Sequence, residues 1–167
     1  MTASTPTPAP TARRDGLEQS RLDAALIDLF EQRISFNKTL GLAIDSARSP
    51  TPTMRFAMRP ELMGHQLHGR LHGGVISAVL DAMGGFALMV AIGERHAEES
   101  TAQILHRFAK MGTIDLRVDY LRPGVGASFT ASAEVTRLGG RIGATQMRLV
   151  NDTGRLIATA AAAYVIS

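Results

Sequence analysis

Apolar residues recur at two different spacings along the chain, and the change between them predicts its elements. Between residue 17 and about residue 34 they return every three or four positions, as in an amphipathic helix. Residues 40–46 and 53–59 are short strand candidates, separated by a Ser-Pro-Thr-Pro stretch. A loop over residues 61–72 follows, and residues 94–110 are predicted to be helical in part.

From residue 113 onward the spacing changes to two, which is typical of strands with one buried face. Gly139-Gly140 marks a tight hairpin between two of these strands. Four antiparallel strands are therefore predicted, over residues 113–120, 128–135, 142–150 and 156–166.

A long apolar segment from Gly74 to Ile92 lies between the two groups of strands, with Asp81 as its single charged residue. The segment is long enough to cross a membrane, but Asp81, the glycines and the amphipathic strands downstream favour a buried helix. A helix that is apolar on nearly all sides must be covered on most of them. The order therefore predicts an α+β fold, in which a curved antiparallel β-sheet wraps around one long central helix, with an extra N-terminal helix.

Composition indicates a soluble globular protein, with 45% apolar and 20% charged residues. The length of 167 residues predicts a single domain over residues 16–167, after a disordered tail over residues 1–15. The chain has no Cys, which excludes disulfides, thiolate metal ligands and a cysteine nucleophile. A net charge of +3 without basic runs argues against nucleic acid as a partner. With no signal-peptide pattern, we expect a cytoplasmic protein.

The order of elements, with His72-Gly73-Gly74 followed by Asp81, resembles the hotdog-fold acyl-CoA thioesterases of the PaaI-like group in the 4HBT superfamily. Residues 115–123 resemble that family's next strand and its Tyr-x-x-Pro ending. The N-terminal helix and the longer segment before this strand are more similar to a bacterial branch that acts on medium- to long-chain acyl-CoA. The resemblance implies hydrolysis of acyl-CoA to a free acid and CoA, with no cofactor because CoA is part of the substrate.

Four residues receive catalytic roles from this resemblance. Gly73 would donate its N–H to the oxyanion, a role that suits the unpaired N–H groups and positive dipole of a helix N-terminus. Asp81 would be the general base or the nucleophile. Gln66 would orient the carbonyl or the water, and Thr113 would assist Asp81.

Helix geometry restricts this assignment. Eight residues of α-helix cover about 12 Å, which is too far for one thioester to touch both Gly73 and Asp81 of the same helix. Either the helix begins later, or the two residues come from different subunits. The resemblance implies the second case, a homodimer with shared active sites whose dimers can pair into a homotetramer.

Four further residues are candidates for substrate binding. His72 and Gly74 shape the turn before the long helix. Arg137 and Arg141 flank the Gly139-Gly140 hairpin, where their planar guanidinium groups would suit the phosphates of CoA. Met83, Phe86, Ala87 and Val90 would line an acyl tunnel or pack in the core.

Each assignment has a structural alternative. Asp81 could pair with a helix terminus or an Arg, the glycines could form a plain tight turn, and Thr113 could be an ordinary strand residue. Arg137 and Arg141 could be surface charges of a hairpin. The spacing of His65, His68 and His72 could bind a metal, but without Cys or a nearby acid cluster we expect none.

Two other functions are open on the sequence alone. One is a hotdog protein that binds acyl-CoA without catalysis, although no helix-turn-helix that would make it a DNA-binding sensor is recognisable. The other is a hotdog enoyl-CoA hydratase or dehydratase, which the pattern of His72-Gly73-Gly74 and Asp81 fits less well.

Overall fold

In the computed structural model, which describes residues 13–167 apart from the side chain of Gln66, a six-stranded antiparallel sheet packs against one long helix. The strand order is β1-β2-β6-β7-β8-β5, which leaves β5 at one edge. In chain order the strands of this sheet are β1 (Ala43–Ser46), β2 (Thr53–Ala57), β5 (Gly112–Tyr120), β6 (Ser128–Leu138), β7 (Ile142–Asn151) and β8 (Leu156–Val165). A separate two-stranded sheet pairs β3 (Met63–His65) with β4 (Arg70–Leu71).

The long helix, α3 (Gly73–Arg95), is the centre of the fold and confirms the predicted segment with slightly wider bounds. It has the length and hydropathy of a membrane span, but 67% of its most apolar window is buried inside the protein. Met83, Phe86, Ala87 and Val90 are all buried in the hydrophobic core. Their role is therefore core packing, one of the two roles considered for them.

The N-terminal helix covers part of α3. Helix α1 (Gly16–Asp28) continues as a π-helical turn over Leu29–Arg33, and the Phe30 ring packs edge-on against Phe86 at 5.0 Å between centroids. The predicted tail over residues 1–15 lies mostly outside the described residues. Within it, Arg14 donates to backbone carbonyls at the end of α3, and Asp15 caps α1, so the ordered contacts begin before residue 16.

Two predictions for the first half of the chain are wrong in detail. Residue Leu40 ends a short helix, α2 (Ser35–Leu40), rather than opening a strand, and Gly41 stops this helix with a φ of 73°. The predicted loop over residues 61–72 contains the β3–β4 pair and two turns of 3-10 helix, Pro60–Leu62 and Gln66–His68.

Downstream of α3, the predicted elements are present. Helix α4 (Thr101–Phe108) is the helical part expected within residues 94–110. Along β5 the expected alternation is only partly realised, because the strand lies at the sheet edge and has a bulge between Thr113 and Asp115. Ile114 keeps 57% of its surface exposed as a result.

Candidate active site

At the N-terminus of α3, one backbone N–H has no acceptor within the part of the chain that the structure describes. His72 is the N-cap, and its Nδ1 accepts a hydrogen bond from the Gly74 N–H at 2.9 Å. The His72 N–H donates to the Leu62 carbonyl, and among the hydrogen bonds of the described residues at this turn the Gly73 N–H has no acceptor. Because α3 begins at Gly73, the idea that the helix starts later is excluded.

A surface cleft of about 420 Å³ lies beside Gly73 and carries two arginines, Arg70 and Arg122. We call it the arginine cleft. The Tyr120 hydroxyl donates to the Gly73 carbonyl at 3.1 Å and so holds this end of α3 against β5. Sequence reasoning missed Arg122, although it belongs to the run of residues 115–123 that carried the family resemblance. The cleft is lined by Gly64, Arg70, Leu71, His72, Gly73, Ile76, Tyr120, Leu121, Arg122, Pro123 and Gly124.

Asp81 and Thr113 meet as expected from the sequence. The Thr113 hydroxyl donates to Asp81 Oδ1 at 2.9 Å, which links α3 to the start of β5. The Tyr164 hydroxyl donates to the backbone carbonyl of Asp81 at 3.0 Å. Burial of Tyr164, and then the nearby Asp81 charge, raise the pKa of its phenol above the usual value, so the hydroxyl remains a donor at neutral pH.

The Asp81 carboxylate borders a mainly hydrocarbon cavity of about 300 Å³, which we call the apolar pocket. Its walls come from α3, from the segment around α2, from the end of α4 and from β5. A carboxylate with a hydroxyl donor at the edge of an apolar cavity is suited to act on a polar group attached to a hydrocarbon chain. The pocket is lined by Phe30, Ile34, Phe36, Asn37, Ala78, Asp81, Ala82, Gly85, Phe108, Met111, Gly112, Thr113 and Tyr164.

Other predicted site residues are not brought to these cavities within one chain. Arg137 and Arg141 are exposed on the β6–β7 hairpin, and the carbonyl of Gly139 in that hairpin accepts from Arg95 at the far end of α3. That end lies roughly 30 Å along the helix from Gly73. The side chain of Gln66 lies outside what the structure describes, so its role stays a prediction.

The histidines of the predicted loop have other contacts. The rings of His65 and His68 stack at 4.7 Å between centroids, while His72 caps α3. Among the described residues, the group spaced to hold a metal is instead His96 with Glu98 and Glu99. Glu99 there already accepts hydrogen bonds from Arg107, so a structural ion pair accounts for it.

Comparison with known proteins decides the family. Residues 68–158, more than half of the chain, match the model of the thioesterase superfamily, 4HBT. The chain belongs to this superfamily. This thioesterase-superfamily protein is 35% identical over 139 residues to the medium/long-chain acyl-CoA thioesterase YigI of Salmonella typhimurium, covering 83% of the chain and 90% of the relative. The resemblance seen in the sequence is thus confirmed.

Solved structures agree on the fold. A thioesterase-superfamily protein from Shewanella oneidensis is 32% identical, with a TM-score of 0.83 over 92% of this chain and 100% of the other. The PaaI protein of E. coli has a TM-score of 0.65 at 16% identity over 89% of this chain and 95% of its own, a likeness of fold alone. This superfamily member therefore has the predicted hotdog fold and is homologous to acyl-CoA thioesterases.

Proposed function

We propose that the protein hydrolyses acyl-CoA thioesters with medium- to long-chain acyl groups. The observation that carries the proposal is the position of Asp81, which is bonded to Thr113 and borders the apolar pocket. The relatives named medium/long-chain acyl-CoA thioesterases support the same substrate class. The acyl chain would enter the apolar pocket, which brings the thioester carbonyl to the carboxylate.

The reaction needs a carboxylate that acts as base or nucleophile and a hydrogen-bond donor for the oxyanion. Water attacks the carbonyl carbon while Asp81 takes its proton, or Asp81 itself attacks and water then cleaves the acyl-enzyme. The Gly73 N–H stabilises the oxyanion, because it has no acceptor among the described residues and lies at the positive end of α3. In either route the C–S bond breaks when the tetrahedral intermediate collapses, which in the second route precedes the attack of water. CoA leaves as the thiolate, and the proton released by the water neutralises it.

We propose a homodimer in which each site takes Gly73 from one subunit and Asp81 from the other. About 12 Å of helix separates these two residues in one chain, and the helix has no break between them. The edge strand β5 supports the dimer, because a sheet edge with the exposed Ile114 can pair with a second copy. Two such dimers could pair further into a tetramer, which sedimentation would detect.

The arginine cleft is our proposal for the CoA end of the substrate. Arg70 and Arg122 border the same cavity as Gly73, whereas Arg137 and Arg141 lie at the far end of α3. Guanidinium groups bind phosphates by two parallel hydrogen bonds, and CoA carries several phosphates. The thioester would then lie between the cleft of one subunit and the apolar pocket of its partner.

A panel of acyl-CoA esters with a thiol-release readout tests the activity. We expect turnover of medium and long acyl chains, and Asp81→Asn should lower kcat by about a hundredfold or more. Asp119→Asn is the matched control, because Asp119 lies on β5 but binds Arg117 outside both cavities. Full turnover by Asp81→Asn would refute the proposal. Thiol release also separates hydrolysis from hydration of enoyl-CoA and from binding without turnover.

Subunit mixing tests the shared site. Gly73→Pro deletes the proposed oxyanion donor, and Pro is well tolerated at the first position of a helix. Asp81→Asn and Gly73→Pro chains should each be inactive alone. In a shared-site dimer, mixed dimers keep one intact site, so co-refolding the two variants should restore about a quarter of the wild-type activity. No recovery in verified mixed dimers would place both groups in one chain.

A further inference from the structure

We infer that Gly85 sets the length of acyl chain that the protein accepts. This inference rests on the proposed function, since it concerns the pocket beside Asp81. Gly85 lies one helical turn after Asp81 and lines the same apolar pocket. The glycine is buried, yet a Cβ atom built on it would meet no atom within 4 Å beyond its two chain neighbours and the local helix backbone. Its missing side chain therefore leaves open a part of the pocket.

Packing within the chain does not explain this glycine. Protein interiors are packed as densely as organic crystals, so an empty Cβ position in a buried helix is unusual. Glycine is also the least favourable residue after Pro in a helix interior, and Ala would favour the helix at no steric cost. A requirement for open volume, rather than for stability, accounts for Gly85.

The open volume lies in the direction that an acyl chain would take. Phe36 and Thr113 line the pocket and are exposed, whereas Phe30, also in its lining, is buried and packs against Phe86 and Phe108. Along α3, Gly85 follows Asp81 by four residues and immediately precedes Phe86, which belongs to that aromatic group. Gly85 therefore borders the deep part of the pocket, whose lining is mainly hydrocarbon.

Helix geometry gives the length of acyl chain that would reach Gly85. Four residues of helix advance about 6 Å. An extended alkyl chain with C–C bonds of about 1.5 Å needs about five carbons for this advance, because its bonds run in a zigzag. Butanoyl groups would end before Gly85, whereas octanoyl and dodecanoyl groups would pass it.

Replacing Gly85 by Leu tests this inference on the full-length protein. We expect kcat/KM for octanoyl-CoA and dodecanoyl-CoA to fall about tenfold or more, which is the effect of a misfit of a methylene group or more in an apolar pocket. The value for butanoyl-CoA should change less than twofold. Ala91→Leu adds an isobutyl side chain's bulk less one carbon to α3 outside the pocket and should leave the chain-length profile unchanged.

Each outcome decides the matter. An unchanged profile in Gly85→Leu, or an equal loss for all chain lengths, would overturn the role of Gly85 while leaving the hydrolase proposal intact. A wild-type protein that releases no thiol would instead refute the proposed function. If Gly85→Leu does not fold, Gly85→Ala replaces it: its melting temperature should match or exceed that of the wild type while dodecanoyl-CoA turnover falls. A lower melting temperature for Gly85→Ala would show that the space is not open.

Discussion

Gly84 and Gly85 are neighbours in the same buried helix, but they meet opposite surroundings. A Cβ on Gly84 would collide with Tyr164 Oη and lie 2.8 Å from Thr145 Oγ1. A Cβ on Gly85 would meet nothing within 4 Å beyond its chain neighbours and the local helix backbone. The side of α3 at Gly84 is thus filled by side chains of the sheet, whereas the side at Gly85 faces the apolar pocket.

Glycine thus meets two opposite needs in this helix. On the filled side, glycine lets α3 approach strands β7 and β8 closely, as glycine commonly does at tight contacts. On the open side, it leaves volume free for a ligand. Changes on the filled side should therefore alter stability, and changes on the open side should alter the reaction.

Adding a methyl group at Gly84 gives the largest expected effect on stability. Gly84→Ala should lower the free energy of unfolding by about 1–3 kcal/mol, because overpacking forces Tyr164 and Thr145 away. Urea denaturation measures this loss. Gly85→Ala is the control, and it should keep or raise the stability because Ala favours a helix by up to about 1 kcal/mol over Gly. Equal losses in both variants would show that the two glycines have the same surroundings.

On the open side, removing the hydroxyl of Thr113 tests the link to Asp81. Thr113→Val keeps the shape of the side chain but removes the donor to Asp81 Oδ1. We expect kcat to fall about tenfold, or about 1.4 kcal/mol, with KM and the urea midpoint nearly unchanged because Thr113 is exposed. Thr113→Ser should restore kcat. A drop in stability without a drop in kcat would assign Thr113 to the fold alone.

Tyr164 joins the two sides, because its hydroxyl crowds Gly84 and also donates to the Asp81 carbonyl. Tyr164→Phe should cost about 1 kcal/mol for the lost hydrogen bond. In that background, Gly84→Ala should cost less than it does in the wild type, since the crowding oxygen is gone. A double-mutant cycle by urea denaturation measures this coupling. Strict additivity would show that Thr145, rather than Tyr164, sets the limit at Gly84.

The sequence predicted the helix and its neighbours better than it predicted the two sides of the helix. Alternation and turn residues indicated the strands, and the His-Gly-Gly turn with Asp81 marked α3. Because α3 is apolar nearly all round, its pattern could not distinguish a residue facing the core, such as Met83, from one facing the pocket, such as Gly85. That distinction depends on which elements cover each side.

Tertiary placement also explains the other differences. Arg137 and Arg141 stay candidate partners for CoA phosphates, but within one chain their hairpin lies at the far end of α3, a position that depends on the whole sheet. The same holds for Arg122, which reaches the arginine cleft through the turn after β5. Helix α2 was missed because it has only six residues, and its stop signal, Gly41, was read as part of a strand.

The smallest expected effect concerns helix α4, whose end lines the apolar pocket on the open side of α3. Charged side chains bind both ends of this helix. Glu18 accepts a hydrogen bond from the Thr101 N–H at 2.9 Å, and this bond lowers the pKa of Glu18 below its usual 4.5. The Arg107 hydrogen bonds likewise lower the pKa of Glu99. Since both pKa values are lower in the folded state, their contribution to stability is present above the unfolded pKa and is lost as pH falls through the folded one.

Melting temperatures between about pH 6 and pH 3 measure this contribution. The wild type should lose stability over this range, and a variant with Glu18→Gln and Glu99→Gln should lose less, because its α4 contacts no longer depend on carboxylate charge. Asp45→Asn is the control, since Asp45 pairs with Arg55 on the β1–β2 pair, away from α4. An equal slope in the double variant and the wild type would mean that packing of residues such as Ile104, rather than charge, holds α4 and the open side of the pocket.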